Sequence, residues 1–393
     1  MKKYLLSIAV MLMGSTLLTG CLGDSNNNNE PTKVTVTDGI FVINNGNQIN
    51  GIDGSLTVAD YSDAAARQNV YKTVNGTSLG GTPNDACVLG SKIYVVGSDE
   101  NTIFVLNAKT FKEIARVSTI GLLGERGATP RHIIAYDNRV YFTTYGTTKY
   151  DGTGNGYVAV IDTLNFGLQG SYPVGVAPEG LTLGGVTSSD NKTTLMLYVC
   201  NSGYGVVQGS ISTINLSSGS VSEVKNAMIH NPQKIAVAGS TMYIIDWGYY
   251  DENWDQHEMG LYEVSGEQAV KLVADATGMG CLGYNIVTYN YPYGADKATY
   301  TIYNIQTRSS MNFNPSGDSA RPIVSPSAIS IDPNTGYVLI ASRVKDPATG
   351  YPSYSMPGYV NIYNGSGAFV KSFDAGVEPH MIGFTYATKT LVY

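Results

Sequence analysis

The apolar residues of this chain fall in short runs bounded by glycine, asparagine or aspartate, and no stretch sustains a helical period. One stretch shows the pattern. Residues 86–89 form a short apolar run, Gly90-Ser91 a turn, Ile93-Tyr94-Val95-Val96 a strand, 97–101 a loop and Ile103-Phe104-Val105-Leu106 another strand. Asn107-Ala108-Lys109-Thr110 then turns the chain into 111–117, the weakest of four predicted strands. The order recurs as Val140-Tyr141-Phe142-Thr143 followed by Tyr157-Val158-Ala159-Val160-Ile161-Asp162, and as Met242-Tyr243-Ile244-Ile245 followed by Leu261-Tyr262-Glu263-Val264.

A proline marks each unit. Pro83, Pro130, Pro178, Pro232, Pro326 and Pro379 precede apolar runs at spacings of 47, 48, 54, 94 and 53 residues. The gap of 94 is twice 47, and its middle falls near Met279-Gly280-Cys281-Leu282, where a unit starts without its proline. Four short antiparallel strands in about 47 residues is the pattern of a propeller blade. Six units begin near Pro83, Pro130, Pro178, Pro232, Gly280 and Pro326. The stretch 381–393 offers about two further strands. Gly39-Ile40-Phe41-Val42-Ile43 and Gly54-Ser55-Leu56-Thr57-Val58 offer the outer strands of a unit without inner ones. Joined, they predict an all-β fold: a seven-bladed β-propeller with four-stranded antiparallel blades, its ring closed by pairing of N- and C-terminal strands so that no sheet edge is left open. An eight-bladed ring or two sandwiches are the alternatives.

In such a blade the residue after the proline borders the mouth of the central channel, and the loop from the second to the third strand stands above it. The mouth positions are therefore Asn84, Arg131, Glu179, Gln233 and His380. The loops depart from the repeat: 97–101 is short, whereas 144–156, 246–260, 290–297 and 342–358 are long. They and their neighbours carry Tyr145, Tyr150, Tyr204, Trp247, Tyr249, Tyr250, Trp254, Tyr291, Tyr293, Arg343, Tyr351 and Tyr354. Tyr and Trp join flat apolar area to a hydrogen-bond handle at low rotamer cost, as binding surfaces require. Two ordinary roles compete: long loops fold aromatics into small cores of their own, and polar residues at strand starts bond nearby backbone.

Composition narrows the class. Of 393 residues, 43% are hydrophobic and only 14% charged, which excludes a disordered chain. Residues 1–20 are expected to be a lipoprotein signal, with Lys2 and Lys3 before an apolar run over 5–13 that is too short to span a bilayer, ending in Leu18-Thr19-Gly20-Cys21. Cys21 is the expected lipidation site, 21–32 a polar tether, and 33–393 one propeller domain. Contact with a membrane would then be through the lipid anchor only. Without the two lysines the balance is 22 basic against 31 acidic residues, which argues against a nucleic-acid partner. Cys87, Cys200 and Cys281 sit in apolar runs with no zinc spacing and are expected to be buried, inert thiols.

Catalytic signatures are lacking: the chain has no Gly-x-Ser-x-Gly, no His-Glu-x-x-His and no phosphate loop. His132, His230, His257 and His380 are spread over different units, with His132 and His380 both near the mouth. Asp246, Asp251, Glu252, Asp255 and Glu258 are enough carboxylates for Ca²⁺, but their spacing matches no calcium loop and a solvated acidic loop is the expectation.

Gly39-Ile40-Phe41-Val42-Ile43-Asn44-Asn45-Gly46-Asn47, Lys92-Ile93-Tyr94-Val95-Val96, Val105-Leu106-Asn107-Ala108-Lys109-Thr110-Phe111 and Pro130-Arg131-His132-Ile133 resemble the YncE-like propeller lipoproteins of Bacteroidetes-type bacteria, over nearly all of the mature chain. Within them the chain is similar to the BtuG-like, cobalamin-binding type. The resemblance implies a non-enzymatic lipoprotein of the outer membrane, exposed at the cell surface. It implies capture of cobalamin (vitamin B12) or another corrinoid as transported ligand, with no cofactor required, and delivery to an outer-membrane TonB-dependent transporter. Glycan binding, protein binding and, less favoured, a lactonase-type hydrolase with a metal near Asn84 and Glu179 are the alternatives.

Overall fold

The structure is a computed structural model, and it describes residues 32–187, 192–292, 294–316 and 321–391. The signal, Cys21 and all of the tether before Thr32 lie outside the described residues, as does Tyr293.

Six sheets have four antiparallel strands joined in sequence order. Blade 1 comprises Pro83–Leu89, Lys92–Gly97, Thr102–Asn107 and Glu113–Ser118. Blade 2 comprises Pro130–Tyr136, Arg139–Thr144, Gly156–Asp162 and Leu168–Val174. Blade 3 runs Pro178–Thr187, Thr193–Asn201, Ser210–Asn215 and Val221–Val224. Blade 4 runs Pro232–Ala238, Thr241–Asp246, Gly260–Ser265 and Gln268–Ala274. Blade 5 is Gly278–Leu282, Asn285–Asn290, Thr299–Asn304 and Ser309–Asn312. Blade 6 is Ser325–Ile331, Val338–Arg343, Pro357–Tyr363 and Phe369–Val377.

The seventh blade closes the ring and differs from expectation. Pro379–Leu391 is one long inner strand rather than two, and it pairs with Thr32–Asn44 along its whole length. Ser55–Ala59 completes a three-stranded sheet, and a single bridge between Val58 and Arg67 stands where a fourth strand would be. The C-terminal segment stays extended because Thr32–Asn44 is long enough to pair with all of it.

Seven apolar layers, one between each pair of neighbouring blades, hold the ring together. Alternate residues of one strand feed opposite layers: Phe41 and Ile43 pack toward blade 1, while Ile40 and Val42 pack toward blade 6. Ile93 and Val95 divide from Tyr94 and Val96 in the same way. A sheet covered on both faces must be apolar at successive positions, which is why these strands read as continuous runs rather than as alternation.

The repeated proline has a partner in the preceding blade. A Cβ on Gly54 would lie 2.1 Å from Pro83 Cδ, one on Gly156 2.2 Å from Pro178 Cδ, and one on Gly209 2.4 Å from Pro232 Cδ. Gly358 faces Pro379 likewise. Each glycine stands at the start of a third strand, so the proline ring of the next inner strand packs directly on its backbone. Thr82, Thr129, Ala177 and Glu378, the residues before four of these prolines, have positive φ. The register shifts just after Pro83, Pro130, Pro178, Pro232 and Pro326. These bulges turn the start of each inner strand, so two successive side chains reach the channel.

Candidate functional site

The inner strands enclose a cavity of about 650 Å³ whose wall includes Asn84, Arg131, Glu179, Gln233 and His380, the expected mouth positions. Trp247 lines it as well. So do Asp85, His132, Lys234 and Cys281, from the second position of their inner strands or nearby.

Bonds run sideways from blade to blade at these positions. Asn84 Nδ2 donates to the Arg131 carbonyl at 2.8 Å. Arg131 Nε donates to Glu179 Oε2 at 3.0 Å. His132 lies between two carboxylates, with Nδ1 3.1 Å from Asp85 Oδ2 and Nε2 3.4 Å from Glu179 Oε2. Tyr145 donates its hydroxyl to Glu179 Oε1, and the Arg131 guanidinium stacks 5.1 Å over the Tyr145 ring. Burial works to raise the Glu179 carboxyl, but the Arg131 charge and the bonds from His132 and Tyr145 outweigh it and hold it down to about 2. Burial works to lower the His132 imidazole, yet its bonds to Asp85 and Glu179 prevail and raise it.

The second-to-third loops surround this mouth. Tyr204 meets Tyr145 edge to face at 5.0 Å and Tyr150 at 5.8 Å, and its hydroxyl lies 3.1 Å from Thr148 Oγ1. These three tyrosines join the loop 144–156 to blade 3 in a small cluster over the Arg131–Glu179 pair. Its outermost ring, Tyr150, is 75% exposed. Trp247 donates Nε1–H to the Thr277 carbonyl at 2.8 Å while its ring stays partly exposed. Beyond it, Tyr249–Tyr250 pairs with Gln256–His257 as a two-stranded hairpin. Tyr249 stacks on His257 at 5.4 Å, and Trp254 at the hairpin tip is 75% exposed. On the far side Arg343 forms a two-pronged pair with Glu378 and lies 4.7 Å over the Tyr354 ring, and Tyr351 is exposed.

Other expectations are revised. Tyr291 is partly buried and packs against the apolar layer between blades 5 and 6, so part of its ring serves that core. Asn84 is buried and its amide is spent on neighbouring backbone. Cys87 and Cys200 are buried, but Cys281 is only half-buried and lines the channel, because its unit begins with small residues. The acidic loop is solvated only in part: Glu252, Asp255 and Glu258 are exposed. Asp246 is fully buried and accepts the backbone N–H groups of His230, Asn231 and Gly248, Asp251 pairs with His257, and Glu258 pairs with His230. Burial pushes the Asp246 carboxyl up despite those bonds. Among the described residues no group of three or more His, Cys, Asp or Glu converges as a metal site, and no helix is long and apolar enough to cross a membrane. Asp85 and Lys234 were missed by the sequence reasoning. Both stand two places after a repeated proline, the position that also carries His132, so reading that second column of the repeat would have found them.

Fold and site together define a seven-bladed propeller with a charged channel mouth and an aromatic rim. Residues 38–192 match a family model described as "Domain of unknown function (DUF5074)". No curated protein matches the sequence. Among solved structures the chain is similar to a functionally unknown protein from Desulfotomaculum acetoxidans DSM 771, with a TM-score of 0.56 at 10% identity, covering 88% of this chain and 99% of that one. It is also similar to a hypothetical selenium-binding protein from Sulfolobus tokodaii, with a TM-score of 0.56 at 11% identity, covering 89% of this chain and 94% of that one. At such identities the likeness carries the fold alone.

Proposed function

We propose that this propeller is a binding protein without catalytic activity, held at the outer membrane by lipid on Cys21. It captures cobalamin or a related corrinoid on its aromatic face and passes it to a TonB-dependent transporter. The observation that carries the binding role is the rim of rings around the channel mouth: Tyr150, Trp247, Tyr249, Trp254, Tyr351 and Tyr354 all keep exposed surface. Exposed aromatics gathered at one mouth are surface kept for a partner. The corrinoid as ligand rests on the sequence resemblance and on shape. A corrinoid is a broad ring edged with amides, which fits a wide rim of rings and hydroxyls better than a channel of about 650 Å³.

Calorimetry of the mature chain with cyanocobalamin tests the reading. Saturable heat supports it, and no heat together with no thermal shift overturns it. The exposed rings on three separate loops, Tyr150, Trp254 and Tyr351, also fit sugars stacking along the rim. Retardation of the protein by polysaccharide in a native gel, with no corrinoid heat, would favour that second reading.

A further inference from the structure

Inside the channel the carboxylates of the wall already have partners. Asp85 Oδ1 accepts the Ala86 amide, and Oδ2 faces both the Ile133 amide and His132. Glu179 is filled by Tyr145, Arg131 and His132. Both carboxylates are therefore occupied by groups of the wall itself. Lys234 lines the same cavity from blade 4 and is only partly exposed, yet among the described residues its ammonium has no hydrogen-bond or ion-pair partner. The next blade supplies none, since its inner strand presents Met279, Gly280 and Cys281. The His380 ring, from blade 7, is likewise without a partner among the described residues.

A sheltered, unpaired ammonium is costly unless something anionic joins it. The two groups stand on blades three places apart. Burial lowers the Lys234 ammonium although the Asp85 charge works against it, and burial, followed by repulsion from Lys234, His132 and Arg131, brings the His380 imidazole down to about 3.

We propose that the channel is a site for a small oxyanion, a carboxylate or phosphate group, seated on Lys234. The neutral His380 ring and the guanidinium nitrogens that Arg131 does not spend on Glu179 supply hydrogen bonds. A lysine ammonium binds such a group as a point charge with three donors. The anion is either a free small molecule or the anionic arm of a larger ligand lying on the rim, and the site itself does not depend on the corrinoid reading.

The test is a set of thermal melts of the mature chain in ionic-strength-matched buffer, with inorganic phosphate, with acetate and with neither. In wild type either anion raises Tm by a few degrees. In Lys234→Met neither does, and that variant without anion melts at or above wild type because it lacks the unpaired charge. Lys234→Gln repeats the measurement should the methionine variant fold poorly. Calorimetry distinguishes the two sources. If the anion belongs to a larger ligand, Lys234→Met weakens cyanocobalamin, which carries a phosphodiester, about tenfold or more and leaves dicyanocobinamide, which lacks it, unchanged. Equal anion shifts in wild type and both variants, or no dependence on Lys234 in either set of experiments, overturns the proposal. Failure of the corrinoid reading is distinct: wild type then gives no heat with either corrinoid while the free-anion shift persists.

Discussion

Arg131 and Glu179 occupy the same place in consecutive units, each the residue after a repeated proline, and their side chains meet at 3.0 Å across the blade boundary. The pair is thus both a strut between blades 2 and 3 and the floor beneath the Tyr145–Tyr204 cluster.

Removing one member leaves buried groups without partners. Glu179→Ala strands Arg131 and the Tyr145 hydroxyl together, leaves His132 with Asp85 alone, and is expected to cost about 3 kcal/mol or more in urea unfolding. The double variant Arg131→Met/Glu179→Leu should lose less than the sum of the two single variants. Additive losses would show that the pair does not act as a unit.

His380 should shape the acid side of the stability curve. Its folded pKa, about 3, lies below the unfolded value of 6.5. Its contribution is therefore full above pH 6.5 and is lost as pH falls toward 3, because the unfolded chain takes up the proton first. His380→Gln removes this dependence, so the stability of the variant relative to wild type should rise by roughly 2 kcal/mol between pH 7 and pH 5. His132, whose pKa is raised, acts with the opposite sign and is present in both proteins, so the difference isolates His380. A difference that does not change with pH would refute the assignment.

The glycine–proline contacts predict a position-specific cost. Gly156→Ala puts a methyl 2.2 Å from the Pro178 ring and is expected to destabilise by about 2 kcal/mol or more. Gly266→Ala, at φ +59° with open space around it, should cost only about 1 kcal/mol. Equal midpoints in chemical denaturation would show that the ring contact is unimportant.

The two tryptophans should separate binding from stability. Trp254 is 75% exposed, so Trp254→Ala should weaken cyanocobalamin about tenfold in calorimetry without moving Tm. Trp247 also bonds the Thr277 carbonyl of the next blade, so Trp247→Ala should lower both affinity and Tm. Unchanged affinity in both variants would move the ligand off this part of the rim.

The sequence by itself determined the strands of the six complete blades, the blade count and the closure of the ring, though not that the closing blade has three strands, one of them the undivided Pro379–Leu391. Those features are local or periodic: runs such as Ile93-Tyr94-Val95-Val96 are apolar on both faces, and each proline returns at a spacing close to one blade. It also located the loops that carry the rings. Only the tertiary structure decided which of those side chains remain available. Tyr291 and Tyr354 look alike in the sequence, yet one packs against an inter-blade layer and the other covers Arg343. Asp246 looks like part of an acidic surface and is instead a buried acceptor for three backbone amides. Lys234 looks like one lysine among many, and its isolation emerges only when the ring brings Asp85, Glu179 and His380 round one channel and the first two are already satisfied. The reason is physical: strand formation follows from the side-chain pattern of a short segment, whereas hydrogen-bond satisfaction depends on neighbours about one blade apart or more in the chain, which meet only after the propeller has closed.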